Sequence, residues 1–406
     1  MTNLFSKKSI VLIFIITCFC SKTKAQPNNK EMAKLINENF ALAASQYKLL
    51  AKNTAADQMP RNYIAKENKL VTSNTVWWTS GFFPASLWYI YEFTKDTAIK
   101  AEAERRLAII EGEKFNTKDH DLGFKMFCSF GNAYRVTGNP AYKEIFLTAA
   151  ESLSKRYRPS IHSIQSWDSS INFRCPVIVD NLMNLELLCR ASEELNDPKF
   201  RNIAVEHANT TIKNHYRPDY SSYHVVDYDL ATGSVLKKKT AQGFADESAW
   251  ARGQAWGLYG FTMMYRCTKD EAYLQQAKHI AGFLLNHPSL PKDKIPYWDF
   301  DAPDIPKTYR DVSAACIMAS ALLELAQYAD AKQKKEYLKT AKIILQSLST
   351  DKYRNKPGED GGFILKHSVG ALPYTSEVDV PLTYADYYFL EALLRFKNWY
   401  LPADKK

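Results

Sequence analysis

The chain carries two aspartates in unlike settings. Asp180 closes the apolar run Pro176-Val177-Ile178-Val179-Asp180-Asn181, and Asp121 sits inside His120-Asp121-Leu122-Gly123-Phe124. Downstream, Trp250-Ala251-Arg252-Gly253-Gln254-Ala255-Trp256 supplies two indoles and a guanidinium. Two carboxylates beside stacking surfaces and a cation point to proton transfer on a flat, anionic sugar. A carboxylate that follows an apolar run is poorly solvated, so its pKa rises and it can deliver a proton near neutral pH. Asp180 can equally cap a helix over 181–188, its oxygens accepting free backbone N–H groups. Asp121, ahead of a glycine and a helical stretch, admits the same plainer reading.

The elements that must carry these residues are helical. A loose repeat recurs at Thr94-Lys95-Asp96, Thr137-Gly138-Asn139-Pro140, Leu195-Asn196-Asp197-Pro198, Thr268-Lys269-Asp270-Glu271 and around Lys335-Glu336-Tyr337. Each lies between two amphipathic stretches, with an Asp or Asn where a new helix needs its N-cap. Leu338, Ala341, Leu345 and Leu348 recur at helical spacing, as do Met318, Ala321, Leu322 and Leu325. One short β-hairpin is expected, from 223–228 followed by Thr232-Gly233. Repeated helix pairs must stack or close on themselves to bury their apolar faces. With roughly six pairs, the pattern predicts an all-α fold closed into an (α/α)6 barrel, with an open solenoid as the alternative.

A toroid of this kind gathers its inter-helix loops at one mouth, and the loops here hold Trp77-Trp78, Trp167-Asp168 and Tyr297-Trp298-Asp299. Most of the 24 Tyr, 21 Phe and 8 Trp residues must fill the core. Indoles beside Asp and Gly in loops are better placed to stack on pyranose rings, and Trp78, Trp167 and Trp256 are expected to do so.

The N-terminal residues read as a secretion signal: Lys7 and Lys8, an apolar stretch over 10–20, then Ser21-Lys22-Thr23-Lys24-Ala25. Residues 1–25 are therefore expected to be a signal peptide, and 26–406 a single barrel domain exported to the periplasm. Lipidation at Cys18 or Cys20 is the other processing route. No further apolar stretch is long enough to span a bilayer. Removing residues 1–25 takes four lysines and no acid, so the formal charge falls from +9 to +5. That mild excess suits an acidic ligand, while the dispersed basic residues do not make a nucleic-acid stripe. The five remaining cysteines sit in apolar or helical surroundings, as buried thiols do. No zinc-ligand spacing and no Gly-rich phosphate loop occurs, so no metal and no cofactor is expected.

Read together, these segments resemble glycoside hydrolase family 88, the unsaturated glucuronyl hydrolases. The resemblance is carried by Trp78-Thr79-Ser80-Gly81-Phe82-Phe83-Pro84, the His120 to Phe124 segment, Val179-Asp180-Asn181-Leu182-Met183-Asn184, His224, Asp246-Glu247-Ser248-Ala249-Trp250-Ala251-Arg252-Gly253-Gln254-Ala255-Trp256-Gly257 and Asp386-Tyr387-Tyr388-Phe389-Leu390-Glu391-Ala392-Leu393. It implies a six-hairpin barrel and a reaction on the C4=C5 double bond that polysaccharide lyases leave on a terminal uronic acid. Asp180 would protonate C4, water would add at C5, and the hemiketal would open and expel the rest of the sugar. Asp121 would be the second carboxylate, sharing its titration with Asp180 if the two lie close. The substrates implied are unsaturated uronyl disaccharides or short oligosaccharides.

The resemblance also marks His224 and Gln242 as residues near the reacting ring and Arg252 as a partner for acidic groups of the sugar. Trp250, His120 and Phe124 complete the expected binding set, with His367 in the region that meets the leaving sugar. Each has a plainer alternative: His224 as an outward strand residue, Gln242 as a loop residue, Arg252 as a helix-surface cation. Trp250 and Trp256 are six apart, so they cannot share one helix face and one can be core. The Arg252 segment and His224 favour the glucuronyl enzymes over the sister family acting on unsaturated rhamnogalacturonan. A silent sugar-binding barrel and a lyase on the same barrel are the remaining alternatives.

Overall fold

The computed structural model describes residues 27–402, so the expected signal peptide lies outside the described residues. Helices alternate between an outer and an inner ring. The outer ones are α1 (Pro27–Asn53), α3 (Thr97–Ile110), α5 (Pro140–Ser154), α7 (Pro198–His215), α9 (Glu271–Asn286) and α11 (Ala331–Leu348). The inner ones are α2 (Phe82–Thr94), α4 (Asn132–Thr137) with the π-helical stretch Gly123–Gly131 before it, α6 (Leu185–Leu195), α8 (Ala251–Thr268), α10 (Val312–Leu325) and α12 (Thr383–Tyr400). Sequence composition decides the ring. Residues of α10 are buried all round, as are 82–90 of α2 and 251–264 of α8, which a helix apolar on every face requires. In α3 and α11 only one stripe is buried, Ile99, Ala103 and Leu107 in one and Tyr337, Ala341, Ile344 and Leu348 in the other. Contact of α12 with α2 closes the ring, and the barrel is the one the helix pairs predict.

The recurring turns join each inner helix to the next outer one. Lys95, Gly138, Asn196 and Lys269 take the left-handed conformation that ends a helix, with φ of 60°, 69°, 50° and 60°. Asp96, Asn139, Asp197 and Asp270 then cap the helices that follow, accepting from Ala98, Ala141, Lys199 and Ala272 N–H. The fifth repeat is displaced: Asp330 caps α11, and Lys335, Glu336 and Tyr337 lie inside that helix, where the charged surface stripe disguises its start.

Connections in the other direction, from outer to inner, are long and carry the strands. The sequence led us to expect one hairpin, and the described residues hold three further small sheets. β1 (Met59–Ile64) pairs with β2 (Lys69–Ser73), and β3 (Tyr157–Arg158) with β4 (Ser163–Ile164). β5 (Pro176–Ile178), β6 (Val225–Tyr228) and β7 (Val235–Lys239) form a three-stranded antiparallel sheet, and β8 (Ser368–Ala371) pairs with β9 (Ser376–Val380). Strands of two to six residues offer too few alternations for period-two patterning to register. All of these loops enter the N-terminal ends of the inner helices, so one mouth of the barrel is built up and the other is capped by short turns. Among the described residues no helix is long and apolar enough to cross a membrane.

Candidate active site

Asp180 is placed by sheet register. β5 pairs with β6 through Ile178 opposite Val225, and the next backbone N–H, that of Val179, donates to the carbonyl of His224 at 3.0 Å. The chain then turns into a fully buried 3-10 stretch, Val179–Asn184, with Asp180 as its second residue. Ile178 holds the N-cap position and no side chain caps the turn, so the capping alternative for Asp180 fails. The same register sets His224 against Asp180, with Nε2 3.6 Å from Oδ2. His224 Nδ1 accepts from the backbone N–H groups of Ala241 and Gln242 at 3.1 and 3.3 Å, which puts the ring proton on Nε2, facing the carboxyl group. Burial pushes His224 down to about 3, with the Arg252 cation adding to the effect, so the ring is neutral. Burial pushes the Asp180 carboxyl up to about 6, against the pull of His120 and Arg252. Asp180 Oδ2 is buried without a hydrogen-bond partner.

Asp121 is brought alongside by a glycine. A Cβ on Gly123 would stand 2.5 Å from the Cα of Asn184, so only glycine lets the two segments touch here. Asn184 Oδ1 then accepts from Phe124 N–H at 3.0 Å, pinning the start of the π-helical stretch to the segment that carries Asp180. Such stretches recur at functional sites because they re-aim side chains within a helix. Burial, with the Asp119 carboxylate adding to it, pushes Asp121 up to about 8. The like charge that bears most on Asp121 is therefore Asp119, a residue the sequence reading passed over, and Asp180 and Asp121 influence each other less than their shared role suggests. His120 lies beneath both, its Nε2 3.4 Å from Asp121 Oδ1, and burial pushes it down to about 4.

Over these groups opens a cavity of about 400 Å³, lined by Trp77, Trp78, Trp167, His224, Gln242 and Tyr384, with residues 370–377 of the β8–β9 hairpin opposite. Trp78 and Trp167 are half-buried on the cavity wall. Gln242 Nε2 donates to the carbonyl of Gly370 at 3.1 Å, closing the wall between two loops.

Other expected binding residues sit elsewhere. Trp256 is fully buried against Phe124 and Tyr388, with ring centroids 5.2 and 5.4 Å away, so it is core and not the stacking platform expected. Phe124 is likewise buried, supporting Trp78 from behind at 5.5 Å. Trp250 is buried over the His224 ring at 4.6 Å and fixes it from the rear. Arg252 is neither a surface cation nor a free guanidinium. It is 1% exposed, it pairs with Asp311 at 2.9 Å and donates to the carbonyls of Val369 and Gly370. It therefore ties the β8–β9 hairpin to the barrel and places a fixed positive charge behind Asp180. His367 lies outside the cavity, half-exposed, with Nδ1 2.7 Å from Asp379. The expected binding set left out Trp77, Glu377 and Tyr384. Trp77 was visible as the neighbour of Trp78. Tyr384, whose hydroxyl is buried without a partner at the cavity, has no local pattern to separate it from the many core tyrosines.

A larger cavity, about 740 Å³, lies at the opposite mouth. Its charges satisfy one another, Arg266 with Glu186 and Glu324 at 2.8 and 2.7 Å and Arg395 with Glu324 at 3.1 Å. His224, 3.6 Å from Asp180, lines the smaller cavity and not this one, so we place the chemistry in the smaller one. Among the described residues no cluster of three or more His, Cys, Asp or Glu side chains is placed to hold a metal ion.

An α/α barrel with one buried and one part-buried carboxyl group near a tryptophan-rimmed cavity defines a class of carbohydrate-active barrels. Residues 51–399 match the model of glycosyl hydrolase family 88, and the chain belongs to that family and is a glycoside hydrolase. It is 43% identical over 379 residues to the unsaturated glucuronyl hydrolase of Formosa agariphila, covering 93% of this chain and 94% of that one. Its fold matches the crystal structure of an unsaturated glucuronyl hydrolase specific for heparin, with a TM-score of 0.87, 47% identity, and 90% and 97% of the two chains covered. It also matches an aspartate-to-asparagine variant of the Streptococcus agalactiae enzyme in complex with dGlcA-GalNAc6S, with a TM-score of 0.77, 32% identity, and 90% and 92% coverage.

Proposed function

We propose that this enzyme removes the terminal 4,5-unsaturated uronic acid from glycosaminoglycan lyase products by hydrating the C4=C5 double bond, with Asp180 as the proton donor. The observation that carries the assignment is the buried Asp180 carboxyl, raised in pKa to about 6, with one oxygen unpartnered 3.6 Å from the His224 ring that lines the cavity. The competent form of the resting enzyme is the one in which Asp180 is protonated. Its proton goes to C4, the double-bond electrons forming the new C–H bond, and the positive charge at C5 is shared with the ring oxygen. Water adds at C5 and returns a proton to the carboxylate. Opening of the hemiketal leaves a ketone at C5 and a hemiacetal at C1, which releases the remaining sugar.

The His224 Nε2–H and the Arg252 charge both favour the anion that Asp180 becomes after proton transfer, so the donor is raised in pKa without being locked neutral. Trp78 and Trp167 provide the stacking faces, and Asp121, uncharged at neutral pH, adds no negative charge to that anion. The rule that carboxylate separation sets the stereochemistry of glycoside hydrolysis does not apply, because the attacked carbon is C5 and not C1. The test is Asp180→Asn with an unsaturated uronyl disaccharide, following the ultraviolet absorbance of the conjugated double bond. Turnover should fall by at least ~10²-fold, the scale of general acid catalysis, and near-normal turnover in a folded variant would remove Asp180 from the role.

A further inference from the structure

Lys125 is an ammonium group with no access to solvent, one turn after Asp121. Its Nζ lies 3.0 Å from Asp119 Oδ2, 3.5 Å from Glu113 Oε2 and 3.3 Å from the carbonyl of Val76. Asp119 turns its other oxygen back to accept from the backbone N–H of Asp121 at 2.9 Å. The backbone N–H of Lys125 donates to the carbonyl of Asp121, also at 2.9 Å. Asp121 is thus gripped at both its N–H and its C=O by two residues whose side chains are paired with each other. A buried ammonium costs several kcal/mol unless its partners hold it, so this closed arrangement is not an incidental surface contact.

The same two residues reach the rest of the site. Asp119 forms an isolated β-bridge with Trp167, and the Val76 carbonyl that Lys125 holds precedes Trp77 and Trp78. Asn116 Nδ2 joins Glu113 to Asp119 at 2.9 and 3.2 Å, completing the acidic side of the cluster. We infer that Asp119 and Lys125 are positioning residues for Asp121, a latch that fixes the direction of its carboxyl group and the charges that group faces. The inference rests on Asp121 belonging to the active site, and it assigns a function to two residues on no part of the cavity wall.

The remaining titratable groups around Asp121 are His120 at 3.4 Å, Arg156 and Asp180. Arg156 gives Nη1 to Asp168 at 3.1 Å and to the carbonyl of Thr117, and Nε to the carbonyl of Gln165, while its Nη2 is buried without a partner. Asp119 and Lys125 therefore act on Asp121 in opposite senses. Removing the anion should let Asp121 lose its proton at lower pH, and removing the cation should make it hold the proton to higher pH.

The experiment is a pH titration of the protonated-carboxyl infrared band of Asp121, assigned by its disappearance in Asp121→Asn, in the full-length protein and in Asp119→Asn and Lys125→Met. The midpoint should fall by about half a pH unit or more in Asp119→Asn and rise by about as much in Lys125→Met, with kcat reduced about tenfold or more in both. Midpoints unchanged in both folded variants would overturn the inference even if activity were lost, since a merely structural role costs activity without moving the titration. If Asp119→Asn does not fold, Lys125→Met decides alone. Normal turnover in Asp121→Asn would sink the catalytic reading of Asp121, while the midpoints would still judge the latch.

Discussion

The pH dependence of catalysis follows from where Asp180 sits. A proton donor works only in its protonated form, so the rate tracks the protonated fraction and falls as pH rises through the pKa of that group. Burial lifts Asp180 from its ordinary 3.8 to about 6. A rise of about two units corresponds to roughly 3 kcal/mol of preference for the neutral form. At pH 7 about one molecule in ten then carries the proton, where an unshifted aspartate would carry it in about one in 1,600, a gain of more than about a hundredfold in competent enzyme. The assay is the initial rate of chromophore loss at substrate concentrations well below KM, between about pH 4 and 9, because kcat/KM reports the free enzyme. The expected curve is flat on the acid side, bends near pH 6, and then falls about tenfold per unit. Asp121, pushed up to about 8, steepens the fall beyond that pH only if it too must be neutral. A curve already falling by pH 5, or one rising through pH 6, would refute the argument. The first would mean that Asp180 is not desolvated, and the second that it serves as a base.

Further substitutions test the placement of other residues. Asp121→Asn should lower turnover by at least ~10²-fold with the fold retained, as read by circular dichroism beside the rate; an active variant would leave Asp121 a structural residue. Trp256→Ala should cost about 3–5 kcal/mol in denaturant unfolding with KM unchanged, as a core position does, whereas Trp167→Ala should raise KM with little loss of stability; the reverse pattern would restore Trp256 to the cavity. Arg252→Met should cost about 3–5 kcal/mol because it leaves Asp311 buried and unpaired, and Arg252→Met with Asp311→Met should recover much of that. A cost for the single variant below about 1 kcal/mol would mean that Arg252 is not the strut we describe.

What was legible in the chain divides by the length of the signal. The helix pairs announced themselves because cap chemistry and helical spacing recur from pair to pair, as at Thr94-Lys95-Asp96 and Thr268-Lys269-Asp270, and local energetics dictate both. The burial of Asp180 was legible because the apolar run Pro176-Val177-Ile178-Val179 leads directly into it. The fate of Trp256 and Arg252 was not, since which face of α8 meets the cavity depends on the neighbouring helices and on a hairpin more than a hundred residues downstream. Asp119 and Lys125 escaped for a related reason. A charged pair six residues apart reads as a solvated loop and helix, and only the tertiary contact with Val76 and Glu113 shows the ammonium to be buried. Tyr384 lies within a run of aromatic residues on α12, most of which are core, and nothing in the spacing marks its hydroxyl as the one left free at the cavity.

The central claim, that the first bond made is a C–H bond at C4, is tested most directly by turning over an unsaturated uronyl disaccharide in heavy water and quenching within the first turnovers. The account predicts one deuterium on a single face of C4 in the released keto acid, appearing in step with the loss of the double-bond absorbance. A released sugar that keeps its C4=C5 bond and its absorbance, with no deuterium at C4, would contradict it and return the reaction to ordinary cleavage at C1.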